Sequence, residues 1–257
     1  GDVYKRQIVT GASGGIGLSC ANILAERGYS LVLVARSKST LEAQQKDYVS
    51  KGIGCEICVL DLSHIEAPQE LVAFTDAKGI VPDVLVNNAG VGVYGKCLET
   101  NLSEQVAMLK LNVEALVSLS HLYGQKMVAR KHGYILQVAS TAAFQPLPYF
   151  GLYAGTKSLV LSYSRCLNFE YQDQGVSSTA LCPGPTKTNF FAGKKNETTK
   201  QLASMMMSAD EVARKGIDAM FARREVCVTG ITNYLGAVLG RLAPSKLMMK
   251  AIADVMR

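Results

Sequence analysis

Tyr153 and Lys157 stand four residues apart in a helical stretch, which brings a phenol and an ammonium onto one face. A tyrosine near its ordinary pKa of about 10 is a poor acid or base at neutral pH. A neighbouring cation stabilises the phenolate and draws that pKa toward the working range. Such pairs are common on helices, mostly as surface neighbours, so this one gains weight only from its surroundings. Ser140 ends a strand thirteen residues earlier, at the carboxyl edge where open parallel sheets bind ligands. Asn112 lies in the preceding helical stretch, and Asn87-Asn88-Ala89-Gly90 follows another strand at the same edge. A strand-end hydroxyl, a phenol and a lysine so placed can converge on one substrate oxygen.

A second cluster suits phosphate. Thr10-Gly11-Ala12-Ser13-Gly14-Gly15-Ile16-Gly17 joins the first strand to the first helix. Its glycines permit a tight turn and close approach of backbone N–H groups to an anion at the helix N-terminus. The spacing of Gly11, Gly15 and Gly17 is G-x-x-x-G-x-G rather than the standard G-x-G-x-x-G. The second strand ends Val34-Ala35-Arg36-Ser37 with no acidic residue to take a ribose hydroxyl. Arg36 and Ser37 are instead donors for a 2′-phosphate, which favours NADP(H) over NAD(H). A merely solvated Arg36 would leave that preference open. Asp61 and Leu62, past the third strand, fall where adenine would lie; Asp61 could equally cap its own turn through Ser63.

The elements that must position these groups alternate strictly. Strands are expected at 8–10, 31–35, 55–60, 83–86, 134–138, 177–181 and 225–229. Helical spacing is expected at 16–27, 38–51, 66–78, 101–130 (one helix or two) and 152–173, the last closed by Gly175. Alternation of this kind implies right-handed crossovers. The fold class is therefore α/β, a Rossmann-like doubly wound parallel sheet of about seven strands with helices on both faces. With no linker inside 8–230 and no repeat, residues 1–257 are expected to form one dinucleotide-binding catalytic domain. Lys5-Arg6-Gln7 is out of character for a central parallel strand, and residues 1–7 read as a non-native scar.

With 48% hydrophobic and 19% charged residues, the chain can bury a large core. Its 27 basic and 21 acidic residues leave +6, but in dispersed pairs without aromatic interleaving, so no nucleic acid is expected. An anionic cofactor or substrate accounts for the surplus. Seven scattered cysteines, an odd number, fit reduced thiols and a cytoplasmic location. Cys55-Glu-Ile-Cys58 reads as a buried strand, and no metal is expected because no second ligand pair follows. No apolar run is long enough to span a bilayer.

Taken together, the chain resembles the short-chain dehydrogenase/reductase family over roughly 8–230. Thr10 to Gly17, Asn87 to Gly90, Asn112, Ser140, Tyr153, Lys157 and Pro183-Gly184 fall in that family's order and approximate spacing. Val138 to Pro146 and Leu181 to Thr186 are similar to a bacterial subgroup of unassigned specificity, near reductases of steroid and acyl carbonyls. The resemblance implies that Tyr153 is the general acid in reduction and the base in oxidation. Lys157 would bind the nicotinamide ribose and lower the Tyr153 pKa, Ser140 would hold the substrate oxygen, and Asn112 would hold a relay water. Asn88, Ala89 and Gly90 would flank the adenosine side. Pro183, Gly184, Thr186 and Thr188 would orient the nicotinamide, Thr188 through its carboxamide. Gly155 departs from the bulkier small residue usual there, and could make room for cofactor or substrate.

The substrate is expected to be a small-molecule carbonyl or alcohol, apolar and steroid-like or acyl. Phe144, Gln145, Leu147, Pro148, Tyr149 and Phe150 form an aromatic-rich loop for it. The stretch 190–210, with Phe190 and Met206, reads as a lid. The tail 231–257 is amphipathic, expected to pack on the pocket or a second subunit ahead of lying on a membrane surface. A homodimer or homotetramer is implied by resemblance, paired through 101–130 and 152–173. Two other readings stand beside the reductase: a 3-ketoacyl thioester reductase, and a non-catalytic NADP(H)-binding redox sensor.

Overall fold

A computed structural model describes residues 5–188, 190, 206–242 and 245–256. Seven parallel strands form the main sheet: β1 (Arg6–Thr10), β2 (Ser30–Ala35), β3 (Cys55–Val59), β4 (Val84–Asn87), β5 (Gly133–Val138), β6 (Val176–Cys182) and a last strand, Val226–Val228. Their order is β3-β2-β1-β4-β5-β6 followed by Val226–Val228. The chain reverses direction of travel across the sheet between β1 and β4, and the crevice for a ligand opens at their carboxyl ends.

The central strands β2 and β4 are apolar and buried on both sides, so each side needs a helical cover. Val9, Leu31, Leu33, Val84 and Val86 face α1 (Gly15–Glu26), α2 (Lys38–Ser50) and a helix at Ala209–Phe221. Ile8, Val32, Val34 and Leu85 face α3 (Ala67–Ala77) and the helix Leu116–Ala129 through Leu71, Leu119, Tyr123 and Met127. The long helix Gly151–Tyr171 lies on this second side, with Val160 and Leu161 against Ala180 and Cys182. It ends through a short 3-10 turn at Gly175, whose φ of 82° fulfils the expected glycine stop. Cys55 and Cys58 point to opposite faces of β3, into different clusters, so they cannot share a metal.

Several expectations are refined, and one helix is added. The stretch 101–130 is two α-helices, Leu102–Leu109 and Leu116–Ala129, joined by a π-helical turn at Lys110–Ala115. The end of the expected lid is ordered: Met207–Ser208 pairs with Thr186–Lys187, and Ser208 then caps Ala209–Phe221. That helix was not foreseen. Its cap is reciprocal, Ser208 Oγ accepting from Glu211 N while the Glu211 carboxylate accepts from Ser208 N. Residues 191–205 of the expected lid lie outside the described residues. The tail is two helices, Ile231–Leu242 and Ser245–Met256. Among the described residues no helix is long and apolar enough to cross a membrane, and no cluster of metal-ligating side chains occurs.

Of the suspected scar, 1–4 lie outside the described residues. Arg6 is tied down through Asp83 and Gly79. Gln7 is wholly buried, sits between Leu31 and Val84 in register, and leaves both amide atoms unpaired. An apolar residue would fit that position better.

Candidate active site

A cleft of about 810 Å³ runs along the carboxyl edge of the sheet. At one end lies the glycine turn. Gly11 and Gly15 adopt left-handed φ of 64° and 54°, as glycine permits. Gly17 serves close approach, because a Cβ there would overlap Gly11 O and Asn88 Nδ2. Asn88 Nδ2 donates to Thr10 O (3.0 Å) and Gly11 O (3.2 Å). Thr10 Oγ1 accepts from the backbone N–H of both Asn88 and Ala89 at 3.0 Å and donates to Val86 O. The first turn and the β4 end are thereby bound into one frame.

Ser13, Gly14, Gly15 and Ile16 line this end, and a Cβ on Gly14 would meet nothing within 4 Å. Thr188 overhangs the turn from the far wall, its Cγ2 3.1 Å from where a Cβ on Gly15 would sit. Arg36, Asp61 and Leu62 close the outer end. Arg36 is largely exposed and 3.8 Å from Asp61, a weak pair in solvent. Asp61 Oδ1 accepts from Ser63 N and Oγ at 2.9 and 2.7 Å. Burial pushes its carboxyl up, but the two Ser63 bonds, Arg36 and His64 outweigh that and hold its pKa below the ordinary value. Asp61 thus caps its turn and still lines the cleft.

At the other end Tyr153, Lys157 and Ser140 share one wall with Pro183, Gly184 and Thr186. Ser140 precedes a 3-10 turn (Thr141–Phe144), capping it through Ala142 N at 3.1 Å. Ser140 Oγ donates to Pro183 O at 3.4 Å and lies beside the Tyr153 phenol. Lys157 Nζ donates to Val138 O at 2.7 Å and sits 5.7 Å from the Tyr153 ring centroid. Burial pushes the Tyr153 phenol up to about 12, the neighbouring Ser140 hydroxyl working against it. Burial draws Lys157 down to about 8, with Cys182 opposing. The expectation that the ammonium depresses the phenol is therefore not met in the free site. The lysine is itself short of solvation and its proton is turned to a backbone carbonyl.

Asn112 is brought near by the π-helical turn but is not on the cleft wall. Its Oδ1 accepts from Val91 N and its Nδ2 donates to Val91 O, both at 2.9 Å. A Cβ on Gly90 would lie 3.1 Å from Asn112 Oδ1 and 3.6 Å from Lys157 Nζ, so this asparagine braces the loop beside the lysine.

Of the other expected residues, Ala89, Gly90, Gln145, Phe190 and Met206 line the cleft. Ser37 does not: it precedes α2, its hydroxyl paired with Thr40 Oγ1. Phe144 packs toward Leu116 and Val160, and Tyr149, held at a φ of 64°, stacks on Tyr94 instead. Gly155 faces a second groove with Phe144, Ser158 and Met249, away from the main cleft. Missed by sequence reasoning were Gly92, Tyr94 and Leu111 on the cleft and Asn233, whose amide fills the space above Gly184. A glycine and an aromatic directly after Asn87-Asn88-Ala89-Gly90 were the available signal.

A strand-end hydroxyl and a buried, protonated phenol can together bind a carbonyl oxygen and hand it a proton. Known proteins agree with such chemistry. Residues 5–199 match the family model of short chain dehydrogenases. The probable oxidoreductase EphD of Mycobacterium bovis is 29% identical over 259 residues, covering 95% of this chain and 44% of EphD. The chain thus spans under half the length of the first curated relatives it matches. The 17-beta-hydroxysteroid dehydrogenase type 3 of Mus musculus is 25% identical over 250 residues, covering 96% of this chain and 79% of that protein. The structure of a short-chain dehydrogenase from Sphingobium yanoikuyae in complex with NADPH is 27% identical, with a TM-score of 0.82 over 95% of this chain and 94% of that one.

Proposed function

The chain belongs to the short chain dehydrogenase family, an oxidoreductase family, and from that premise we propose that it is an NADP(H)-dependent reductase of apolar ketones, with Tyr153 as proton donor. The observation carrying this reading is that Tyr153, Ser140 and Lys157 occupy one wall of a cleft whose opposite end is the glycine turn. The fit of a nicotinamide dinucleotide rests on the cradle: open space above Gly14, left-handed Gly11 and Gly15, and the residues opening α1 along the cleft. There the helix dipole favours a pyrophosphate.

Gly11, Ser13, Gly14, Gly15, Ile16 and Gly17 would hold the pyrophosphate; Asp61, Leu62, Asn88, Ala89 and Gly90 the adenosine; Pro183, Gly184, Thr186 and Thr188 the nicotinamide. Arg36 supports NADP(H), since it stands exposed at the end of β2 with only a weak acidic neighbour. The NADPH bound by the Sphingobium relative agrees. When bound, the nicotinamide supplies or accepts the hydride. In reduction Tyr153 gives its proton to the substrate oxygen while the Ser140 hydroxyl donates to the same atom. Lys157, still largely charged at neutral pH, stabilises the phenolate left behind. A phenol pushed up to about 12 stays loaded with its proton at neutral pH, which favours reduction over oxidation. The apolar substrate is supported by the aromatic lining and by the hydroxysteroid named for the mouse relative. Assembly as a homodimer or homotetramer is supported by exposed Leu102, Val106, Leu109, Leu159 and Phe169, and sedimentation velocity checks it.

The test is NADPH oxidation against ketones, acyl thioesters and sugars, with Tyr153→Phe alongside. Ketone turnover that drops on the order of 10²–10⁴-fold in the variant is expected. Turnover of acyl thioesters alone would make the chain a ketoacyl reductase. Tight NADPH binding with no turnover of any substrate would make it a sensor.

A further inference from the structure

Resting on that reading of a ketone site, we propose that Gly92 is a specificity-determining residue and that the subsite it shapes takes a flat, apolar ring system attached to the carbonyl. Gly92 follows the β4 end and lines the cleft. It is not among the glycines with positive φ, so its backbone would suit any residue. What demands glycine is space. A Cβ at position 92 would lie 2.5 Å from Phe150 Cζ, 2.8 Å from Phe150 Cε2 and 3.0 Å from Phe190 Cζ. Two phenyl rings from distant segments therefore converge on the point a side chain would fill.

Those rings frame the reacting group. Phe150 stacks on Tyr153 with centroids 4.3 Å apart and planes at 23°. Phe190 leans on Tyr153 at 5.6 Å and 54°, and Tyr94 on Phe150 at 6.1 Å. A methyl at 92 would push Phe150 along the Tyr153 face and narrow the approach to the phenol. The wall so formed offers ring faces and edges, which a planar ring system matches in offset or edge-on contact. A polyol would bury hydroxyls against it without partners, and a straight alkyl chain would forgo the ring contacts. Leu111, Leu147 and the polarisable Met206 complete an apolar surround.

The test is calorimetric titration with tetralone and with a straight-chain ketone of equal carbon number, run with and without NADP+ so that binding is read apart from turnover. Wild type is expected to bind tetralone on the order of tenfold more tightly than the chain ketone. Gly92→Ala, and independently Phe150→Leu, should erase that preference, with the NADP+ affinity changed by less than about twofold. Equal wild-type affinity for the two ketones overturns the proposal. So does a preference that survives both substitutions, or an equal loss of both ketones. Failure of NADP+ and NADPH to bind at all would instead strike the parent reading, while the titration without NADP+ still decides this one. Should Gly92→Ala not fold, Phe150→Leu carries the test alone.

Discussion

The two arms of the cleft are built on different principles. The arm beside β1 and β4 is made of backbone, glycines and short polar side chains, with Thr10 and Asn88 each bonded at several points. The arm around Tyr153 is made of large side chains from separate stretches: Tyr94, Phe150, Phe190 and Met206. An unvarying charged ligand is best met by fixed amides, which tolerate little change in spacing. A substrate that differs from relative to relative is met by side chains on loops, which exchange freely. One arm is a frame and the other a lining.

Substitutions can break or sharpen that contrast. The largest effect is expected from Gly17→Val, which forces Gly11 and Asn88 apart. On the order of a hundredfold should be lost from kcat/KM, measured with NADPH and any accepted ketone alike. A loss confined to some ketones would mean the arms are not separate. Next is Arg36→Ala, expected to weaken NADPH binding by roughly 1.5–3 kcal/mol and to leave NADH nearly unchanged. Equal losses by titration would show that Arg36 does not read a phosphate.

At the junction, Lys157 is drawn down to about 8 by burial, so its charge is present below that pH and lost above it. Reductive kcat/KM should fall by up to about tenfold per pH unit above the inflection, and Lys157→Met should lack the break. A break that persists in Lys157→Met belongs to another group. The smallest functional effect is expected outside both arms. Gln7→Leu should raise unfolding stability by roughly 1–3 kcal/mol, by removing an unpaired buried amide, with kinetics unchanged. Denaturant titration reads the gain, and no gain would mean that Gln7 finds a partner.

The frame was legible because its demands are local. Glycine spacing, strand-end asparagines and Tyr153-x-x-x-Lys157 follow from conformations only a few residues long. The lining was not. Phe144 and Tyr149 sit in the expected aromatic loop, yet a 3-10 turn and a left-handed φ turn them away, and Phe150 takes the cleft instead. Helical spacing placed Lys157 beside Tyr153 but could not say that its ammonium would turn to Val138 O. The helix Ala209–Phe221 went unread although Ser208 and Glu211 have the spacing of a reciprocal cap and Val212, Ala213, Ile217 and Met220 mark a buried face.

The wide turn at Lys110–Ala115 stores slack that an ordinary helix would not have. Each residue in a helix rotates the chain by about 100°, so deleting one here would wind the segment tighter and swing Asn112 off Val91. The loop from Gly90 to Tyr94 would then lose its tether, and both ends of the cleft would drift together. The spacing between the glycine turn and Tyr153 is in this way metered by a single surplus peptide unit.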